Sequence, residues 1–207
     1  MDNLEEIRSY AKKLKNKMWA TRGARFEAYR YYLQKHTLSS YSISIFSSYL
    51  IALGLLSTFK IFSNIVLPDN IIQFLSIALS VLILAISQIE SSNDYKLKGE
   101  RFHDCSKEIA FLITEIDYLL LNIGNQEITN LQAIKNVSDK YELIIQKHSD
   151  NHKPIHYKVF KSQHPVDFPM SWSEKVYIRF LIFFEPRWFY LILIIGPPLF
   201  LLWRVLS

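Results

Sequence analysis

The sequence predicts an all-α membrane protein, with an N-terminal basic amphipathic helix, a transmembrane helical hairpin, a cytosolic helical pair and a third, C-terminal membrane segment. Half of its 207 residues are hydrophobic and only 5 are glycine, which suits helices. The apolar residues concentrate in three nearly charge-free blocks, and the charged segments between them repeat apolar residues every three or four positions. The expected divisions are 1–40 (basic helix), 41–90 (hairpin), 91–148 (helical pair), 149–176 (His/Pro-rich loop) and 177–207 (apolar membrane segment).

The N-terminal helix, about residues 4–35, carries most of the positive charge and has aromatic residues interleaved with it. Basic and aromatic residues together can bind single-stranded nucleic acid. A juxtamembrane helix that contacts anionic headgroups has the same composition, and we favour it, so that no direct nucleic-acid binding is expected. The predicted membrane-surface residues are Lys12, Lys13, Lys15, Lys17, Arg22, Arg25, Arg30 and Lys35.

Two uncharged stretches, His36 to Phe59 and Ile71 to Ile89, are each close to the roughly 20 residues that cross a bilayer. A short turn-like segment containing Pro68 joins them. The arm before the first stretch is rich in Lys and Arg, whereas the connection contains only Lys60 and Asp69. The positive-inside rule therefore predicts that both ends of the hairpin face the cytoplasm.

Each predicted span carries small or polar residues at helical spacing. Such stripes allow close helix packing with interhelical hydrogen bonds, or they line a water-filled path in an oligomer, and the sequence leaves both interpretations open. Neither span contains a charged residue, which argues against a pump or proton-coupled transporter. The stripe residues are Ser40, Ser44, Ser47 and Thr58 on the first span, and Gln73, Ser76, Ser80 and Ser87 on the second.

After the hairpin, two amphipathic helices, near residues 91–123 and 127–147, are expected to bury their apolar stripes against each other, with Gly124-Asn125 between them. His148, His152 and His156 then follow at intervals of four, as ligands on one helical face would. Pro154 would break such a helix, so the segment is predicted to be a loop with no metal site. No cofactor is expected.

The last apolar block, Trp188 to Trp203, follows Pro186 and contains Gly196-Pro197-Pro198, which should kink it. Trp188 and Trp203 are placed to anchor its ends at the two membrane interfaces. A membrane span is favoured over a re-entrant segment or a helix lying in the interface. Because no phosphate loop, dinucleotide motif or nucleophile elbow occurs, and Cys105 is the single cysteine, we expect no enzymatic activity.

Several runs resemble the SLATT domain family. They are Met18 to Ala28 (MWATRGARFEA), Lys35-His36 with Ser40 to Ser44, Gly99 to Phe102, and Asn151 to Lys161. The resemblance implies a membrane effector of bacterial conflict or antiphage systems, residing in the inner membrane. It also implies a homo-oligomer that permeabilises the membrane when triggered, in a long subgroup associated with reverse-transcriptase genes.

The leading functional hypothesis is therefore a pore-forming effector of abortive infection. Its expected partners are the lipid bilayer, further copies of the chain, and a reverse transcriptase or a nucleotide-signal sensor. The alternative is a non-conducting membrane anchor or scaffold that recruits a cytosolic partner.

Overall fold

A computed structural model describes residues 2–59, 69–122 and 127–206. All regular secondary structure in these ranges is helical, which confirms the predicted all-α fold class. The helices are α1 (Asp2–Phe59), α2 (Asp69–Asn93), α3 (Tyr95–Asn122), α4 (Glu127–Lys147), α5 (Pro154–Gln163), α6 (Trp172–Phe184) and α7 (Trp188–Leu206). The predicted turn at Pro68 and the predicted helix stop at Gly124-Asn125 lie outside the described residues.

Helix α1 is continuous over 58 residues, which corresponds to about 87 Å at 1.5 Å per residue. The sequence analysis divided this stretch into a basic helix and a membrane span. No proline lies within α1, so nothing interrupts the helix where the composition changes from basic to apolar.

The chain forms two compact units. The first, which we call the bundle, comprises Met1–Tyr32 and Leu97–Ile182. The second, which we call the hairpin unit, comprises Leu33–Lys96 and Phe183–Ser207.

The bundle has one apolar core to which α1, α3 and α4 contribute. Positions 7, 11, 14 and 18 of α1 recur at the three-four spacing that places side chains on one helical face. The equivalent stripes of α3 and α4 complete the core, so the predicted helical pair buries its apolar faces together with the N-terminal helix. The buried residues are Ile7, Ala11, Leu14, Met18, Cys105, Ile109, Leu112, Ile116, Ile134, Val137 and Tyr141.

The segment predicted as a His/Pro-rich loop contains helix α5. Pro154 occupies the first turn of α5, where its missing N–H has no helical partner to lose, and so it starts a helix here. Phe160 of α5 packs edge-on against Trp19 of α1, with ring centroids 4.8 Å apart. Gly23 makes this approach feasible, because a Cβ atom at that position would overlap the Phe160 ring.

The hairpin unit has a smaller core. Phe46 and Leu53 of α1 pack with Leu79 and Ile86 of α2, and Leu193 of α7 lies against them. The Tyr49 hydroxyl donates a hydrogen bond to the Ile194 carbonyl, with an O···O distance of 3.2 Å. That carbonyl needs a donor, because the residue four positions later is Pro198, which has no N–H.

Candidate functional site: the polar faces of the membrane hairpin

The polar face of the first span lies on the outside of the hairpin unit. Ser40, Ser44 and Thr58 are exposed, and Ser47 is half-buried. Ser48, which the sequence analysis did not select, is exposed and continues the face, four residues after Ser44. The adjacent Ser47-Ser48 pair fits either an i+3 or an i+4 step, so spacing alone could not distinguish the two.

The hydroxyls on this face bond within their own helix. Ser44 donates to the Ser40 carbonyl at 3.1 Å and Ser48 to the Ser44 carbonyl at 2.9 Å, and Thr58 donates to the Gly54 carbonyl at 2.8 Å. A hydroxyl bonded to the carbonyl four residues earlier is satisfied without a neighbouring chain.

The second span presents a comparable face. Gln73 and Ser80 are exposed, and Ser76 and Ser87 are half-buried. Gln88, also absent from the sequence-based set, is exposed about 80° around α2 from Ser80. Ser76 and Ser80 bond back to the Ile72 and Ser76 carbonyls at 2.9 and 2.8 Å.

The two glutamines differ from the serines, because no residue in the described part of the chain hydrogen-bonds to the Gln73 or Gln88 amide. Placing an unbonded amide in an apolar environment costs about 1–3 kcal/mol by mutational measures. These amides therefore favour contact with water or with another polar chain over contact with acyl chains.

The serines that do lie inside the hairpin unit are different ones. Ser39 and Ser42 are buried, and Ser42 donates to the Leu38 carbonyl at 2.8 Å. Both precede Phe46 on the face of α1 that packs inward. The close-packing positions are thus separate from the predicted stripe, and the function of that stripe stays a prediction.

Two described helices contain 18-residue windows that are long and apolar enough to cross a membrane. Only 22% and 11% of those windows are buried within the protein, whereas the core helix of a soluble protein would be mostly buried. Residues 7–203 match the family described as SMODS and SLOG-associating 2TM effector domain family 5. The chain belongs to this family. No curated protein and no solved structure matches the chain significantly.

The family description states two transmembrane segments, and α1 and α2 supply two candidate spans in this SLATT family 5 chain. The recognition of a SLATT domain from the sequence is thereby confirmed. Helix α7 is a further apolar helix, with Trp188 and Trp203 exposed near its two ends. The membrane span expected for α7 stays a prediction.

The two membrane helices of this SLATT chain are joined at one end by His36 and Glu90. The His36 Nδ1 atom lies 2.5 Å from the Glu90 Oε1 atom, and both side chains are partly buried. The sequence contained a signal for this contact. Both residues border the uncharged stretches, at the ends that a hairpin brings to the same side of the membrane.

A cavity of about 270 Å³ lies among α1, α2 and α7 within the hairpin unit. Its walls are apolar and include Tyr49, Leu53 and Leu79, and Gly196 and Pro197 of α7 also line it. Its apolar walls offer a water molecule few hydrogen-bond partners.

The basic residues predicted for the membrane surface of this SLATT chain have different environments. Lys12 and Lys13 are exposed and form no ion pair with the described residues, and Arg22 is also exposed. Lys15 pairs with Asp117, Lys17 with Glu142 and Arg30 with Glu27, at 2.6, 3.0 and 3.0 Å, and Lys35 lies over the Tyr95 ring.

Arg25 differs from the surface position predicted for it. Only 2% of it is exposed, because it lies on the side of α1 that packs into the bundle. Both of its Nη atoms donate to the His148 carbonyl, just after α4 ends.

Proposed function

We propose that the chain is a membrane effector of a bacterial antiphage system that oligomerises and permeabilises the inner membrane when triggered. Its family supplies the effector assignment and the two membrane spans. The observation that carries the proposal of a pore is the outward polar face of the hairpin unit, and above all the exposed amides of Gln73 and Gln88.

The face fits contact between copies of the chain for a simple energetic reason. Serine hydroxyls bonded to their own helix insert into a bilayer at little cost, but unbonded amides do not. In an oligomer, the amides could bond to a neighbouring copy or to water in a central path, as polar groups in membrane bundles do. Exposure of both faces on one hairpin supports an arrangement of several hairpins around such a path.

The test is ion leakage from vesicles that contain the purified protein. We expect Ser80→Leu with Gln73→Leu to lower leakage at least tenfold, because both changes replace exposed polar groups on one face of α2. Ala85→Leu is the matched control, since Ala85 is exposed about 140° around the helix from Ser80. Equal leakage from the double variant and the control, at equal incorporation, would exclude this face as the path.

The trigger in this proposal is a separate component, such as a reverse transcriptase or a nucleotide-signal sensor. Both ends of the hairpin face the cytoplasm, so the bundle would meet that component there. Voltage-sensitive dye fluorescence in cells that express the effector with and without a candidate trigger protein tests this requirement. Depolarisation that needs the second protein supports a separate trigger, and depolarisation by the effector alone argues against one.

The scaffold alternative has its own supporting observation. Phe111, Tyr118 and Leu121 are exposed at helical spacing on α3, on the side away from the bundle core. Apolar residues in a row on a cytosolic helix are typical of a protein-binding face. Phe111→Ser with Tyr118→Ser would then abolish partner recruitment, and the membrane potential would stay intact even with the partner present.

A further inference from the structure

The bundle buries a positive charge that no carboxylate balances directly. Arg25 is nearly inaccessible, yet its one oxygen acceptor among the described residues is the His148 carbonyl, at 3.3 Å from Nη1 and 3.2 Å from Nη2. Its Nε atom is buried and has no hydrogen-bond partner among the described residues. A buried guanidinium normally has a carboxylate or another anion beside it.

The end of α4 accounts for part of this arrangement. The C-terminus of a helix carries about half a negative elementary charge, and a cation placed there is stabilised. Arg25 caps that end through the His148 carbonyl. The cap offsets about half of the charge and leaves the Nε–H group without an acceptor.

The neighbouring thiol does not supply the missing charge. Burial raises the pKa of Cys105, and the nearby Arg25 guanidinium opposes that change only in part. Cys105 is therefore a neutral thiol at neutral pH, and Arg25 keeps its excess positive charge.

Beside Arg25 lies an open cavity of about 170 Å³, several times the volume that one water molecule needs. Arg25, Arg101 and Lys147 line it, and Asp150 is its one acidic side chain among the described residues. The walls thus carry three positive charges against one negative charge.

The existing ion pairs of this cavity are exposed and leave donors free. Arg101 reaches Asp150 through one long contact of 3.6 Å, with 58% of the Arg101 side chain exposed. Lys147 contacts Glu108 at 2.7 Å, and Glu108 also accepts from His148. Glu108 does not line the cavity, and it already accepts from two residues that do, Lys147 and His148. A guanidinium has five N–H donors and an ammonium three, so Arg101 and Lys147 each keep donors beyond these single contacts.

We propose that this cavity is a binding site for a phosphate group, held by Arg25, Arg101 and Lys147. A tetrahedral phosphate offers acceptor oxygens in several directions, and two guanidinium groups with one ammonium match that pattern. The phosphate could belong to a soluble ion or ester, or to a lipid headgroup. The site is separate from the polar faces of the hairpin, so it does not depend on pore formation.

The first test uses the full-length protein in a non-ionic detergent, titrated calorimetrically with inorganic phosphate against sodium chloride of equal ionic strength. We expect saturable binding. Arg101→Gln and Lys147→Gln should each weaken it about tenfold, because each removes a charged hydrogen-bond donor. Both positions are exposed, so neither change should disturb folding.

Lys140→Gln is the matched control, because Lys140 also lies on α4 and pairs with a carboxylate, Glu115, at 2.8 Å. Its affinity for phosphate should equal that of the wild type. Absence of saturable phosphate binding, or equal affinity in the Lys147 and Lys140 variants, would overturn the proposal.

A second arm identifies the source of the phosphate. The protein is reconstituted into phosphatidylcholine vesicles with or without phosphatidic acid, and inorganic phosphate is then titrated. If headgroups occupy the site, phosphatidic acid will abolish phosphate binding to the wild type. If the ligand is soluble, binding will be the same in both vesicles, and either result supports a phosphate site once the variants have behaved as expected.

Discussion

The bundle and the hairpin unit differ in how many apolar side chains they bury. In the bundle, 11 described residues from three helices form one core, and charged pairs such as Lys15–Asp117 cover its surface. In the hairpin unit, four buried residues form the core, and large apolar side chains such as Phe74 and Ile77 remain exposed. The difference follows from the solvent, because water drives apolar residues together and a bilayer does not.

Hydroxyl groups behave alike in the two units. Thr21 and Thr114 of the bundle donate to the carbonyl four residues earlier, as Ser44 and Ser48 of the hairpin unit do. Such a bond satisfies the hydroxyl in water and in lipid alike.

The largest expected effect is a loss of unfolding free energy, and it compares the core of the bundle with the core of the hairpin unit. Ile109→Ala should lower the free energy of unfolding by about 2–5 kcal/mol, as in a soluble core. Leu79→Ala removes a similar volume from the hairpin core but should cost less than half as much, because acyl chains solvate an apolar side chain almost as well as protein does. Equilibrium unfolding in mixed detergent micelles measures both, and equal losses would contradict the proposed difference.

The next largest change in unfolding free energy is expected from the substitution of two glycines. Gly23→Ala should destabilise the bundle by about 1–3 kcal/mol, because the new Cβ atom meets the packed Phe160 ring. That cost exceeds the gain of up to about 1 kcal/mol from better helix propensity. Gly54→Ala meets open space, so its unfolding free energy should stay equal or rise slightly. The same unfolding measurement applies, and a stabilised Gly23 variant would show that Phe160 can move aside.

The smallest effect is a pH dependence confined to the bundle. Burial, and then the Arg25 charge, lower the pKa of His152 below its ordinary value of 6.5. The associated stability is complete above pH 6.5 and is lost as the pH falls through the lowered pKa. Because the His152 side chain is only partly buried, the loss should be small.

Unfolding midpoints of the wild type and His152→Asn, taken between pH 5 and 8, test this dependence. The wild type should lose stability towards pH 5 more steeply than the variant. Glu108 does not interfere, because its hydrogen bond from Lys147 lowers its pKa further below 4.5. Parallel curves would exclude His152 as the titrating group.

The sequence predicted the membrane helices and the apolar faces of the bundle because the patterns that indicate them are long and regular. Uncharged stretches longer than 18 residues and three-four apolar spacing identified the membrane helices and the bundle faces. It was not sufficient for α5, since Pro154 breaks a helix internally but starts one at the first turn. The sequence showed the proline but not which side of it the helix would occupy.

The candidate site was predicted only in part, for a related reason. Spacing identified Ser40, Ser44 and Ser80 as members of a polar face, and they are exposed. It could not separate Ser47 from Ser48, or assign Arg25 to the interior, because those outcomes depend on which neighbour packs against each face. Arg25 lies in a run of basic residues that is typical of a helix surface. Its contact with the end of α4, through the His148 carbonyl, is visible only in the structure.

The serine hydroxyls that bond to their own helix have one more property. The carbonyl that accepts from Ser44 or Ser80 belongs to the regular helical ladder, so it does not depend on the hydroxyl for its main partner. Rotation about one side-chain bond can therefore redirect the hydrogen bond that the hydroxyl donates from that carbonyl to a water molecule, at little cost to the backbone. The same helix surface can thus contact either acyl chains or water without a change in its backbone. A hairpin with such a surface can move from a lipid to an aqueous environment while keeping its fold.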